Sequence, residues 1–207
     1  MLPQHPKTIP AEIRDFAEWH HGRETYAVWI LRMEEALILD KFKSAREHLD
    51  GYLLELYRRQ PHITLFVCGF LVDTLQYNDD FTQTQLQAQI DTLEQTRIQP
   101  FEIEIGGLGS FASAPFLEVY DSDSGIARLR EILSRGGREF RTTTYSPHLT
   151  VGLYAGAFDS REVSRRLAEF PIDTIRCKVE TVTLATYRAQ EIAGLLTHQH
   201  EVSFSQE

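Results

Sequence analysis

Pro61-His62-Ile63-Thr64-Leu65-Phe66-Val67 and Pro147-His148-Leu149-Thr150-Val151-Gly152-Leu153 are one pattern written twice. In the first copy Ile63, Leu65 and Val67 alternate with His62, Thr64 and Phe66. In the second, Leu149, Val151 and Leu153 alternate with His148, Thr150 and Gly152. A period of two marks a half-buried strand, whose successive side chains point to opposite faces. Each imidazole therefore shares a face with a hydroxyl about 7 Å further along, at roughly 3.3 Å per residue. If the two strands line one cleft, two imidazoles and two hydroxyls converge on a single ligand, a cradle suited to a phosphodiester.

The rest of the chain repeats around these strands. Tyr26–Leu31 is rich in aromatic and branched residues and predicts a strand. Phe42–Arg59 has helical spacing, with Phe42, Ala45, Leu49, Tyr52, Leu53 and Leu56 on one face. After the first His-x-Thr strand, Asp79-Asp80 is expected to cap a helix over Thr82–Thr96, which Pro100 stops. Phe101–Ile105 predicts a strand, Gly106-Gly107-Leu108-Gly109 a turn, and Phe116–Tyr120 a further strand. A helix capped by Asp123 or Ser124 runs to Ser134 and closes at Gly136-Gly137. The second His-x-Thr strand then precedes a helix from Asp159-Ser160 to Phe170, one long strand region over Ile175–Arg188, and an edge strand over Thr197–Phe204. A further short helix is expected near Ala11–His20.

Strand, helix, His-x-Thr strand and helix thus occur near residues 26–96 and again near 116–170, with the histidines 86 positions apart. The expected fold is α+β: two pseudo-symmetric lobes, each an antiparallel sheet with outer helices, around a central cleft. Residues 1–207 form a single bilobal domain in this reading, with 1–25 as an N-terminal extension.

Composition narrows the function classes. At 207 residues, 42% apolar and 25% charged, the chain is an ordinary globular one. A formal charge of −9 argues against a broad grip on duplex DNA, which depends on many Lys and Arg contacts to phosphates. Arg128, Arg130, Arg135, Arg138 and Arg141 are nonetheless grouped before the second motif, where Arg138 and Arg141 are candidates for a phosphate contact. Cys68 and Cys177 make no disulfide framework. Met1–Arg14 carries proline and charge where a signal peptide needs an apolar run, and nothing approaches the ~18 apolar residues of a membrane span. A cytoplasmic protein without membrane partners is the expectation.

Two histidines suit an acid and a base near neutral pH, and the hydroxyls of Thr64 and Thr150 suit the non-bridging oxygens of a phosphate. Phe66, Tyr154 and Tyr145 are candidate base or ribose contacts, the first two by continuing the motif faces and the third by preceding the second motif. His20-His21 and His198-Gln199-His200 lack the accompanying ligands of a metal site, so no metal or other cofactor is expected.

The paired motifs resemble the 2H phosphoesterases, and within them the 2′-5′ RNA ligases or RNA 2′,3′-cyclic phosphodiesterases. The resemblance spans about Tyr26–Phe204 and includes Gly109-Ser110-Phe111 followed by Pro115-Phe116-Leu117-Glu118-Val119. It implies acid and base roles for His62 and His148, phosphate contacts for Thr64 and Thr150, and chemistry without metal on 2′,3′-cyclic phosphates of nucleotides or RNA ends, with family precedent for a 2′-phosphate product. Glu118 stands where that group often carries basic or aromatic character; facing the cleft, it would favour a smaller nucleotide over polyanionic RNA. The alternatives are a 2′-5′ RNA ligase or phosphodiesterase acting on RNA, and a non-catalytic module that binds nucleotides or RNA ends.

Overall fold

The computed structural model describes residues 2–141 and 144–205. Its elements run α1 (Ala17–His20), β1 (Thr25–Arg32), α2 (Ala36–His48), β2 (His62–Val72), β3 (Asp80–Thr82), α3 (Gln83–Gln95), β4 (Phe101–Ser110), β5 (Pro115–Tyr120), α4 (Gly125–Gly136), β6 (His148–Thr150), α5 (Ser160–Ala168), β7 (Ile175–Val179), β8 (Thr181–Arg188) and β9 (Thr197–Ser203). The strands make one mixed sheet in the order β7-β4-β5-β6-β2-β1-β8-β9, antiparallel except where β3 runs parallel to β2.

That order carries the expected pseudo-symmetry. Each motif strand pairs with the strand that opens its repeat, β2 with β1 and β6 with β5, and β8 and β4 flank those pairs. The halves meet at the antiparallel pairing of β2 with β6, at Ile63 and Leu149. β7 lies at one end of the sheet and β8 near the other, yet only Glu180 separates them in sequence. The sheet is therefore curled. Phe204 N donating to Glu180 O at 2.8 Å, Ser205 N donating to Ile98 O at 3.0 Å, and the stacked rings of Phe101 and Phe204 close one end of the curl.

Helices α2–α5 pack on one face. Ile38, Ala45 and Leu49, Leu86 and Leu93, Ile126, Leu129, Ile132 and Leu133, and Val163 and Leu167 join Ala27, Trp29, Leu31, Ile63, Leu117 and Leu149 of the strands in the main core. Tyr26, Val28, Ile30, Val67 and Phe70 form a second cluster on the opposite face of β1 and β2. A buried polar bridge crosses the main core: Gln89 takes the Trp29 indole N–H at 2.8 Å and donates to Leu133 O at 2.9 Å, locking α3 to β1 and α4.

Several elements differ from the sequence expectation. Proline at positions 6 and 10 keeps the N-terminal segment extended, where it donates from Ile9 N to Ala112 O and from Ala11 N to Tyr154 O; the helix shrinks to Ala17–His20. α2 starts earlier and ends at His48, because Gly51 turns the chain with φ of 81° and releases Leu53 to bridge Tyr154. Thr82 rather than Asp79-Asp80 caps α3, in a reciprocal capping box with Gln85, while both aspartates hold Arg23. Gly106 and Gly107 lie inside β4, at a bulge where the Tyr120 ring covers Gly106; no turn forms. Ile175–Arg188 is two strands in opposite halves of the sheet.

Gln89→Leu removes both hydrogen bonds and strands the Trp29 N–H and Leu133 C=O in the core. It is expected to cost roughly 2–4 kcal/mol, read as a lower denaturant midpoint at unchanged slope.

Candidate active site

Both motifs enter their strands through a residue, a proline and the histidine: Gln60-Pro61-His62 and Ser146-Pro147-His148. Proline fixes its own φ and holds the residue before it extended, so the carbonyl two residues back lies beneath the imidazole. His62 Nδ1–H donates to Gln60 O at 2.8 Å and His148 Nδ1–H donates to Ser146 O at 2.8 Å. A carbonyl only accepts, so the contact fixes the same tautomer in both rings and leaves Nε2 as the outward nitrogen. Gln60 is itself fastened to Leu196 by two hydrogen bonds, from its Nε2 at 3.0 Å and to its Oε1 at 2.8 Å. Phe111 meets the His148 ring edge-on with centroids 4.8 Å apart, and Phe116 lies 5.4 Å away.

The antiparallel register at Ile63 and Leu149 sets His62 opposite Thr150 and Thr64 opposite His148. Directly opposed residues share a face with Cβ atoms about 5 Å apart, so the four side chains form a square in which each imidazole faces the other motif's hydroxyl. All four line a cleft of about 610 Å³, joined by Tyr57, Arg59, Arg141, Tyr145 and Phe111 among others. That size is typical of small-molecule sites.

Burial sets the charge state. His62 is 9% exposed, and desolvation, reinforced by the charges of Arg59 and His148, pushes its pKa down to about 4. His148 is more open; burial and then Arg141 also lower it from the ordinary histidine value. Both rings are neutral at pH 7 and offer Nε2 as an acceptor.

Of the candidate aromatic contacts, only Tyr145 lines the cleft. Phe66 and Tyr154 are buried in the main core instead. For Phe66 the cause is a bulge: Ile30 pairs with Thr64 and Trp29 with Phe66, so Leu65 is an extra residue and the alternation slips by one. Val67 takes the cleft face in its place. Tyr154 follows the end of β6 and turns inward, its hydroxyl 2.6 Å from Ser110 Oγ. Tyr145 is also committed, donating from its hydroxyl to Thr64 O at 2.9 Å.

The bulge has its own polar support. Arg130 donates to Leu65 O and pairs with Glu139 at 2.9 Å, Glu139 accepts from Val67 N at 3.2 Å, and the Arg130 guanidinium lies 3.7 Å over the Tyr145 ring. Arg130 therefore belongs to the scaffold. Arg141 reaches the cleft and Arg138 is not among its lining residues. Glu118 is in register with His148 but receives the Tyr120 hydroxyl and does not line the cleft. His20 hydrogen-bonds Asp15 at 2.6 Å and His200 contacts Glu94 at 3.1 Å. Arg59 and Tyr57, on the loop into β2, went unsingled in the sequence, where only the run Arg58-Arg59 before Pro61 marks them.

The family model described as the 2′-5′ RNA ligase superfamily matches residues 33–191, and the chain belongs to that superfamily. This bears out the resemblance to 2H phosphoesterases. Among solved structures, LigT of E. coli complexed with 3′-AMP is similar at a TM-score of 0.63 and 15% identity, covering 88% of this chain and 99% of LigT. TT0787 of Thermus thermophilus is similar at 0.55 and 15% identity, covering 86% of this chain and 97% of its own. At these identities the likeness establishes the α+β fold of a curled antiparallel sheet. No curated protein sequence matches.

Because the folded chain keeps His62 neutral, the unfolded chain binds one more proton between about pH 6.5 and pH 4. Stability therefore falls as pH is lowered through that window, by on the order of 3 kcal/mol from this residue. Denaturant unfolding of His62→Asn from pH 7 to pH 4 should show a distinctly shallower loss than the parent; parallel curves would contradict the neutral, buried imidazole.

Proposed function

We propose that this protein is a metal-independent phosphodiesterase that hydrolyses 2′,3′-cyclic phosphates of nucleotides or RNA ends. The observation that carries the reading is the matched pair of Nδ1–H to carbonyl contacts, which turns both Nε2 atoms to one cleft between two hydroxyls. LigT, which shares the fold, has been crystallised with 3′-AMP, ATP and NADP+, and a nucleotide is the substrate class this cleft is read to accept.

In this mechanism the cyclic phosphate lies among His62, Thr64, His148 and Thr150. Thr64 and Thr150 donate to its non-bridging oxygens, where charge is held through the transition state. His62, the more buried and neutral ring, takes a proton from water as the water oxygen bonds to phosphorus. The bond to the ribose 3′-oxygen breaks in line, and that oxygen receives a proton from His148 Nε2, leaving a 2′-monophosphate. His148 gains its proton when the anionic substrate arrives, because a nearby negative charge favours the imidazolium.

Turnover of the four nucleoside 2′,3′-cyclic monophosphates with a chelator present tests this reading. His62→Ala and His148→Ala should each lose about 10²-fold or more in kcat while remaining folded. Full activity in either variant, or no turnover by the parent on these substrates and on RNA ends, overturns it.

The pH profile supplies a second check. The base must be deprotonated, which His62 is above about pH 4, and the acid protonated, which His148 is only below a value under 6.5. kcat/KM, which reports the free enzyme, should therefore be bell-shaped with its maximum on the acid side of pH 6.5. A maximum above pH 7.5 would contradict these assignments.

A further inference from the structure

Among the described residues, two guanidinium groups of the cleft have no acidic partner. Arg59 lies three residues before His62 on the loop into β2, and Arg141 lies seven before His148 on the loop toward β6. Other arginines nearby are paired: Arg58 with Glu191, Arg188 with Glu191, and Arg130 with Glu139. The cleft's own carboxylate, Glu139, is committed to Arg130 and leaves Arg59 and Arg141 uncompensated.

The two cations share the cleft. The Arg59 guanidinium stacks 4.1 Å over the Tyr187 ring and is held by a bond from its Nε to Gly194 O at 3.2 Å. Both Arg59 and Arg141 act electrostatically on the Tyr187 hydroxyl, while Arg59 acts on His62 and Arg141 on His148. Each motif thus has a cation on its entry loop, and both cations line the one cleft. Like charges brought together without a counter-charge repel, and a planar guanidinium pair is complementary to a phosphate. The scissile phosphate is already served by two hydroxyls and two imidazoles, so these groups have a different anion to meet.

We propose that Arg59 and Arg141, beside Tyr187, bind a second, non-reacting phosphate of the substrate. The substrate is then a ribonucleotide that carries, besides its 2′,3′-cyclic phosphate, a phosphate on the 5′-oxygen, either as a terminal group or as the link to the next nucleotide of an RNA end. The proposal rests on the phosphodiesterase reading. It also accounts for how an acidic chain recognises a polyanion: two placed guanidinium groups replace a broad basic surface.

Calorimetry with unreactive product analogues tests it. The ligands are cytidine 2′-monophosphate, cytidine 2′,5′-bisphosphate, and a cytidine dinucleotide ending in a 2′-phosphate, against the parent protein, Arg59→Gln and Arg141→Gln. The parent should bind at least one doubly phosphorylated ligand about tenfold more tightly than the monophosphate, and each variant should bring that ratio towards one. The ratio is internal to each protein, so a general loss of affinity does not mimic the result. Preference for the bisphosphate alone assigns a terminal 5′-phosphate; an equal preference for the dinucleotide assigns an RNA end. A ratio near one in the parent, or a ratio that survives both substitutions, overturns the proposal. Absence of turnover with this preference intact removes the hydrolase reading and leaves the subsite.

Discussion

One strand pairing holds the site together: β2 against β6, in register at Ile63 and Leu149. Both residues are fully buried in the main core, so the register is fixed by the packing that surrounds it. A slip of one residue would turn either His-x-Thr pair into the core and separate imidazole from hydroxyl. The same pairing joins the two halves of the sheet. Architecture and candidate chemistry therefore share a single constraint, and the candidate active site sits on the seam between two similar units.

The strand that carries the first motif is irregular, and its irregularity is stabilised by polar groups. Around the extra residue Leu65, side chains meet the backbone: Arg130 of α4 donates to the Leu65 carbonyl, Glu139 accepts from the Val67 N–H, and the Tyr145 hydroxyl donates to the Thr64 carbonyl. An unmet buried backbone group costs about 1–3 kcal/mol, so the network is a condition of the bulge. It also draws Arg130 and Glu139 out of ligand recognition, which leaves Arg59 and Arg141, among the described residues, as the cleft's cations without an acidic partner. The imidazoles, neutral and with Nε2 outward, add no positive charge until an anion enters.

The part of this arrangement written locally was legible. Alternation over 62–65 and 148–151 marked the motif strands, and the repeated order of strand, helix, strand and helix marked the two halves of the sheet. The helix capped by Asp159 followed the ordinary rule of helix N-termini. What sequence could not supply was set by partners distant in the chain. The bulge at Leu65 turned Phe66 into the core; Ser110 drew Tyr154 inward; the curl of the sheet divided Ile175–Arg188 between opposite halves. Arg59 carries no motif, and only the fold brings it to the cleft that Arg141 and the motif residues line.

Nitrogen-detected NMR of the two imidazoles during titration with cytidine 2′-monophosphate tests the central claim, that His62 and His148 act as a pair on one phosphate, most directly. The account predicts Nδ1-protonated, Nε2-accepting rings in the free protein, and both rings responding together along a single binding curve, with the His148 ring gaining a proton as ligand binds. An Nε2-protonated tautomer in either ring, or a response confined to one histidine, would contradict it.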